Sequence, residues 1–277
     1  MDLYSRLRSS MVVHEPFPHV LVEGAIDPAR CAELVRSFPA LSQFGSALPD
    51  AKKVLRRSVH LTDLTGPLRD LIARHVRPEA FAALARVFGE AIRREYPWFE
   101  DRFARLEALR VGQRHAEGQG ACDVLLDAQL AVLAPVERGT VGERGPHVKG
   151  PNKILEGLLF LPAEDDNTPG GELELYEAIA GHRPRFGARN QTSPRGLRIA
   201  RSVAYRAGTL AVWLNTARSI TRIAPRPASH WPVRFVNLPV QLPEPLFELP
   251  QQPSPLWKRL RGWLARGSGA GSRGNVR

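Results

Sequence analysis

Cysteine is scarce in this chain of 277 residues, with only Cys31 and Cys122. Two thiols cannot build a disulfide framework or a thiolate metal cage. Lysine is scarce too. Only Lys52, Lys53, Lys149, Lys153 and Lys258 occur, so nearly all of the basic charge is arginine. Long apolar runs are missing. Stretches such as Leu158 to Leu161 fall far short of the ~20 residues that a membrane span needs. Met1 is followed by Asp2, Arg6 and Arg8 with no apolar core after them, which predicts no secretory leader. A cytoplasmic, reduced location is the expectation. Acidic residues are absent from 251–277, and no internal repeat is visible.

What is present describes a folded protein. Hydrophobic residues make up 43% of the chain, which excludes wholesale disorder. A chain of this length buries roughly 75% of its unfolded surface and needs no metal or disulfide to fold. The net charge is +11, of which the segment 251–277 carries +6. A coding bias toward arginine accounts for this as well as function does. Read functionally, it points to an anionic partner: an acidic small molecule, a lipid surface or nucleic acid. The body lacks a basic stripe with interleaved aromatics, so nucleic acid is the weakest of the three.

Residues 12–23 read as an extended segment broken by Pro16 and Pro18. Asp27 and Pro28 form an N-cap and first turn for a helix reaching Phe38. Residues 67–76 and 78–95 have helical spacing, with Leu84, Val87, Phe88 and Ile92 on one apolar face. Pro97 closes that helix. From about residue 105 the period changes. Segments 128–134, 154–161, 172–176, 198–205, 209–214 and 234–240 are short and strand-like, separated by Gly and Pro turns. Helices followed by many short strands predict an α+β protein with a sandwich or barrel at its centre. Residues 181–196 read as a mobile loop, and the proline-rich stretch 241–255 as a linker. Residues 256–265 place Leu256, Trp257, Leu260, Trp263 and Leu264 on one helical face with basic residues opposite. Such a helix either packs on the body or docks on an anionic membrane. Residues 266–277 read as disordered.

One block carries chemistry. Gly145-Pro146-His147 is followed by Pro151-Asn152-Lys153, an apolar strand ending Leu159-Phe160-Leu161, the acidic pair Asp165-Asp166, and Gly170-Gly171-Glu172-Leu173. Downstream lie the strand-like stretch Tyr205 to Ser219 and the strand Arg234-Phe235-Val236-Asn237-Leu238. In order and spacing, roughly residues 15–240 resemble the iron- and 2-oxoglutarate-dependent dioxygenases, prolyl 4-hydroxylase-like branch. The resemblance implies a double-stranded β-helix (jelly-roll, cupin-like) with flanking N-terminal helices. It divides the chain into 1–104 (N-terminal strand and helices packing on the jelly-roll), 105–245 (the core) and 246–277 (linker, basic helix and tail). It implies Fe(II) and 2-oxoglutarate as cofactors. His147 stands at the first metal ligand, and Arg234 at the basic residue that pairs with the 2-oxoglutarate carboxylate. Tyr205 flanks the same sheet as a second cofactor contact, although core packing explains it equally well.

The other two metal positions depart from the pattern. Lys149 stands where the family has its aspartate, and Thr221 where it has the distal histidine. An ammonium has no lone pair to give a metal. At ~4 Å from a dication it is repelled by about 8 kcal/mol at an effective dielectric of ~20. The resulting expectation is an oxygenase-like protein with a degenerate iron site. It would hold a small anionic ligand or peptide in its pocket without oxygenase turnover. Two alternatives stay open. One is an active hydroxylase with a rebuilt ligand set drawn from Asp123, Asp127, Glu143, Glu172, His182 or His230. The other is a metal-independent enzyme in which Lys149 is acid, base or imine-forming amine and His147 transfers protons.

Overall fold

The computed structural model describes residues 3–44, 53–56, 64, 66–116, 119–133, 135, 140–141 and 144–252. Strand β1 (His19–Val22) leads to helix α1 (Pro28–Arg36). The Asp27 carboxylate accepts from the Ala29 and Arg30 amides at 3.1 and 3.3 Å, which starts this helix where the sequence predicts. Strand β2 (Lys53–Arg56), helix α2 (Gly66–His75), the long helix α3 (Pro78–Glu95) and the short helix α4 (Phe99–Arg102) follow. Helix α3 buries Leu84, Val87, Phe88 and Ile92 as their spacing requires.

The rest is strand. In order come β3 (Val111–Gln113), β4 (Val124–Leu126), β5 (Gln129–Leu133), β6 (Thr140–Val141), β7 (Lys153–Phe160) and β8 (Leu173–Ala178). Then come β9 (Leu197–Val203), β10 (Leu210–Leu214), β11 (Ile220–Ile223), β12 (Arg226–Pro227), β13 (Val233–Asn237) and β14 (Val240–Gln241).

Strand β7 is the centre of the large sheet. It pairs with β10 on one side and with β13 and then β14 on the other. Beyond β10 lies β1, and beyond β13 lie β5 and β2. The smaller sheet runs β11-β8-β9, with β9 paired only to β8 among the described residues. His147 extends this sheet by bridging Thr221 on one side and Gln191 on the other. Strand β12 pairs with β6.

Two cores follow from the alternation of side chains along these strands. On the outer face of the large sheet, Leu130, Val132, Leu155, Leu159, Val212 and Val236 pack with the helices. On the inner face, Ala131, Leu158, Phe160, Ala211, Trp213 and Phe235 meet Leu173, Leu175 and Val203 of the smaller sheet. An α+β chain with two sheets facing one apolar interior is consistent with a jelly-roll.

Two segments differ from their predicted character. The stretch 181–196 is not a free loop, because Phe186 is 2% exposed and clusters with Val148, Tyr176, Ile220 and Leu249. The Val148 amide donates to the Asn190 carbonyl at 3.1 Å and the Thr192 amide to the Pro146 carbonyl at 2.8 Å. One buried aromatic and this backbone pairing outweigh a polar, glycine-rich composition. The proline-rich stretch after β14 is not a linker over its described part. Leu242, Leu246 and Leu249 are all buried, so the segment straps across the body. The helix expected at 256–265 and the tail to 277 lie outside the described residues. Among those residues no helix is long and apolar enough to cross a membrane.

Candidate functional site

The backbone of His147 pairs directly with that of Thr221. The His147 amide donates to the Thr221 carbonyl at 3.0 Å, and the Thr221 amide donates back at 2.9 Å. Both side chains are buried, His147 at 6% and Thr221 at 1% exposure. The His147 Nδ1–H donates to the Gly145 carbonyl at 3.1 Å, so in the neutral ring Nε2 is the nitrogen with a lone pair.

Two residues on, the Lys149 side chain is 11% exposed and its ammonium lies 3.8 Å from the Glu156 carboxylate. Lys153 approaches the same carboxylate at 2.7 Å. Glu156 is fully buried on β7, and it shares the inner-face phase of Leu158 and Phe160. Its partner across the strands is Trp213, and the Lys149 ammonium sits 5.8 Å from the Trp213 ring centroid. Burial lowers the Lys149 ammonium to about 8. The Glu156 charge opposes this shift, and the Lys153 and Arg144 charges assist it. One buried carboxylate therefore stands against two lysines, with the charge of exposed Arg144 acting from further out. Leaving water costs each ion several kcal/mol, so this cluster is a costly arrangement that packing alone does not require.

The turn carrying these lysines is tightly held. Asn215 donates through Nδ2 to the carbonyls of Gly150 and Lys153 at 3.0 and 2.9 Å. The Tyr96 hydroxyl in turn donates to the Asn215 carbonyl at 2.6 Å. The strap contributes the Leu242 amide to the Asn152 carbonyl at 2.8 Å and the Leu246 amide to the Pro151 carbonyl at 2.9 Å.

Arg234 and Tyr205 are not part of this cluster. Val233 and Phe235 take the inward positions of β13, so Arg234 points the other way, its guanidinium 5.1 Å from the Phe38 ring centroid in the helical layer. The carboxylate-binding role expected of Arg234 is therefore not supported by its position. The phase of β13 turns it away from the interior. The Tyr205 hydroxyl accepts from the Arg234 amide at 2.6 Å, and its ring packs edge-on to Phe160 at 5.2 Å. Phe160 lies four residues along β7 from Glu156, or about 13 Å. Tyr205 thus closes the far end of the interior from Lys149.

A second buried ion pair lies beside Tyr205. The Arg226 guanidinium donates to both Asp166 oxygens, at 3.0 and 2.5 Å, and to the Thr168 carbonyl at 3.0 Å. Burial alone would raise the Asp166 carboxyl, but these bonds outweigh it and hold it below the usual range. This pair anchors the turn before β8 and gives Asp166, the second of the two adjacent acids, a structural role.

Among the described residues, the alternative ligands do not gather around His147. Asp123 is clamped at the surface by Arg110, whose hydrogen bonds lower its carboxyl to about 2. His182 and His230 are exposed, Asp127 accepts from Gln129 at 2.6 Å, and the side chain of Glu143 lies outside the described residues. Among the described residues no three His, Cys, Asp or Glu side chains converge as metal ligands. Sequence reasoning passed over Glu156, Trp213 and His19. A lone acid inside the apolar run from Ile154 to Leu161 was the available signal for Glu156, and Trp213 lay inside the quoted downstream stretch.

No family model and no curated sequence matches this chain. Solved structures do. A prolyl 4-hydroxylase from Phytophthora capsici aligns at 13% identity over 95% of this chain and 72% of that one, with a TM-score of 0.52. The epimerase SnoN, solved with Fe3+, alpha-ketoglutarate and nogalamycin RO, aligns at 12% identity over 91% of this chain and 96% of its own, with a TM-score of 0.48. A Pseudomonas putida prolyl-4-hydroxylase aligns at 11% identity over 84% of this chain and 98% of its own, with a TM-score of 0.44. The first match shows that this chain shares the fold of that prolyl 4-hydroxylase. The two lower-scoring alignments add nothing to that conclusion, and at these identities none of the three transfers an activity.

Proposed function

We propose that this chain is a double-stranded β-helix protein of the oxygenase fold whose metal position holds a lysine, and that its interior binds a small anion without iron-dependent turnover. One observation carries the reading: Lys149, two residues after His147, places its ammonium against buried Glu156, while Thr221 faces His147 across the strands. The residues present do not fit an iron ion. His147 offers one nitrogen, but the neighbouring donor is replaced by a cation that would repel the metal. Two lysines on one carboxylate leave an excess of positive charge, which favours a further negative charge. The strand order supports the β-helix assignment. Strands β5, β13, β7 and β10 form one sheet, and the His147 segment, β11, β8 and β9 form the other.

A second reading is metal-independent catalysis by Lys149. Its ammonium, lowered to about 8, supplies some free amine near neutral pH.

The test is anaerobic purification with Fe(II), followed by measurement of bound metal and of succinate formed from 2-oxoglutarate. His147→Ala and a Lys149→Asp/Thr221→His double variant run alongside. The natural protein is expected to hold no stoichiometric iron and to form no succinate, and the double variant to gain iron. Stoichiometric iron in the natural protein that disappears in His147→Ala, together with succinate release, would overturn the proposal.

A further inference from the structure

The inner face of the large sheet carries a row of polar groups, and the lysine cluster occupies only its Glu156 end. His19, Trp213 and Glu156 are consecutive cross-strand partners on β1, β10 and β7. His19 and Trp213 are each 1% exposed. The His19 Nδ1–H donates to the Phe17 carbonyl at 2.7 Å, since a carbonyl can only accept. Nε2 therefore carries a lone pair, and burial, the larger cause, lowers the ring's basicity and keeps it neutral. That Nε2 has no hydrogen-bond partner among the described residues, and neither has the Trp213 indole N–H.

Buried His75 shows the ordinary alternative. Its Nδ1–H donates to the Leu71 carbonyl at 2.7 Å, and its Nε2 accepts from the Leu3 amide at 3.1 Å. A buried donor or acceptor left unmet costs about 1–3 kcal/mol. At the His19 level one of each faces the interior, on residues paired directly across two strands, where side chains are ~5 Å apart.

An acceptor beside a donor fits a hydroxyl, which gives one hydrogen and accepts another. A charged amine would also donate to His19, but positive charge nearby disfavours it: the Arg201 charge already lowers the basicity of His19, and Lys149 lies over Trp213. Resting on the anion-binding reading above, we propose that the interior binds a small hydroxycarboxylate. Its hydroxyl donates to His19 Nε2 and accepts from Trp213 Nε1, and its carboxylate lies against the Lys149 ammonium. His19 and Trp213 then select for the hydroxyl, while Lys149 supplies the attraction to charge.

The experiment compares L-malate and D-malate with succinate, which has the same chain and charges but no hydroxyl. Calorimetry measures affinity on the natural protein, His19→Phe, Trp213→Phe and Lys149→Met. On the natural protein, nitrogen-15 spectra follow the His19 ring and the Trp213 indole. One malate enantiomer is expected to bind at least about tenfold more tightly than succinate and to shift both signals. His19→Phe and Trp213→Phe should each remove that preference and keep succinate binding, and Lys149→Met should weaken all three ligands. Equal affinity for malate and succinate, or malate binding that leaves both signals unmoved, would overturn the hydroxyl assignment and leave the anion reading standing. No binding by any of the three would overturn both. The spectra need no variant, so a substitution that fails to fold leaves the outcome readable.

Discussion

A lysine ammonium placed in a protein interior costs stability while it stays charged. Lys149 is lowered from 10.5 to about 8 by burial, against the pull of Glu156. Below about pH 8 both folded and unfolded chains hold the proton, and the folded state bears the full cost of the buried charge. Between about pH 8 and 10.5 the unfolded chain binds more protons, so this residue's contribution to stability rises with pH. The whole rise amounts to about 3 kcal/mol. Urea unfolding at both ends of that window should show the increase in the natural protein relative to Lys149→Met, which lacks the group. Equal pH dependence in the two proteins would count against it. Lys149 and Thr221 were legible in the sequence because they stand at fixed positions in a recognisable order of motifs. The direction of Arg234 was not legible for a physical reason. Strand β13 is buried on both faces, so apolar residues flank the arginine in either phase and its direction cannot be read from alternation.

At the scale of elements, the turn before β8 shows why two glycines stand together. Gly170 adopts φ +87°, and a Cβ there would lie 2.3 Å from the Pro225 carbonyl oxygen. Gly181 has a similar φ of +82°, with nothing within 4 Å of a Cβ. Gly181→Ala should therefore cost only the backbone strain, about 1 kcal/mol. Gly170→Ala adds a backbone clash beside the Arg226–Asp166 pair and should cost at least twice as much, read from denaturant midpoints at unchanged slope. Similar midpoints for the two variants would refute the clash. The helices α1, α2 and α3 and most strands of the two sheets were visible in the sequence, since each has its own period and turn residues. The short strands β2, β3, β4, β6, β11, β12 and β14 were not. Two to four residues carry too little pattern, and long-range pairing alone makes them strands.

For the molecule as a whole, the strap after β14 joins three parts: the helical layer through Leu242 and Leu246, the lysine turn through its amides, and the Phe186 cluster through Leu249. Each buried leucine contributes about 1.5–3 kcal/mol. A chain ended after Gln252 should melt well above one ended after Gln241, and coincident melting would show the strap to be dispensable. Composition hid this role, because prolines and scattered leucines read as a linker until the surfaces they cover are known. Strand β9, paired only to β8 among the described residues, has another consequence. Ile199 there is 51% exposed, and the backbone on the open side is a template onto which a second chain could add a strand. Arg198 and Arg201 flank that isoleucine, with Arg198 tied to Glu177 at 2.5 Å. Their mutual repulsion between copies works against edge-to-edge association. Salt screens such repulsion, so the arginine content of this chain also bears on its colloidal behaviour: concentrated solutions should tolerate low ionic strength better than high.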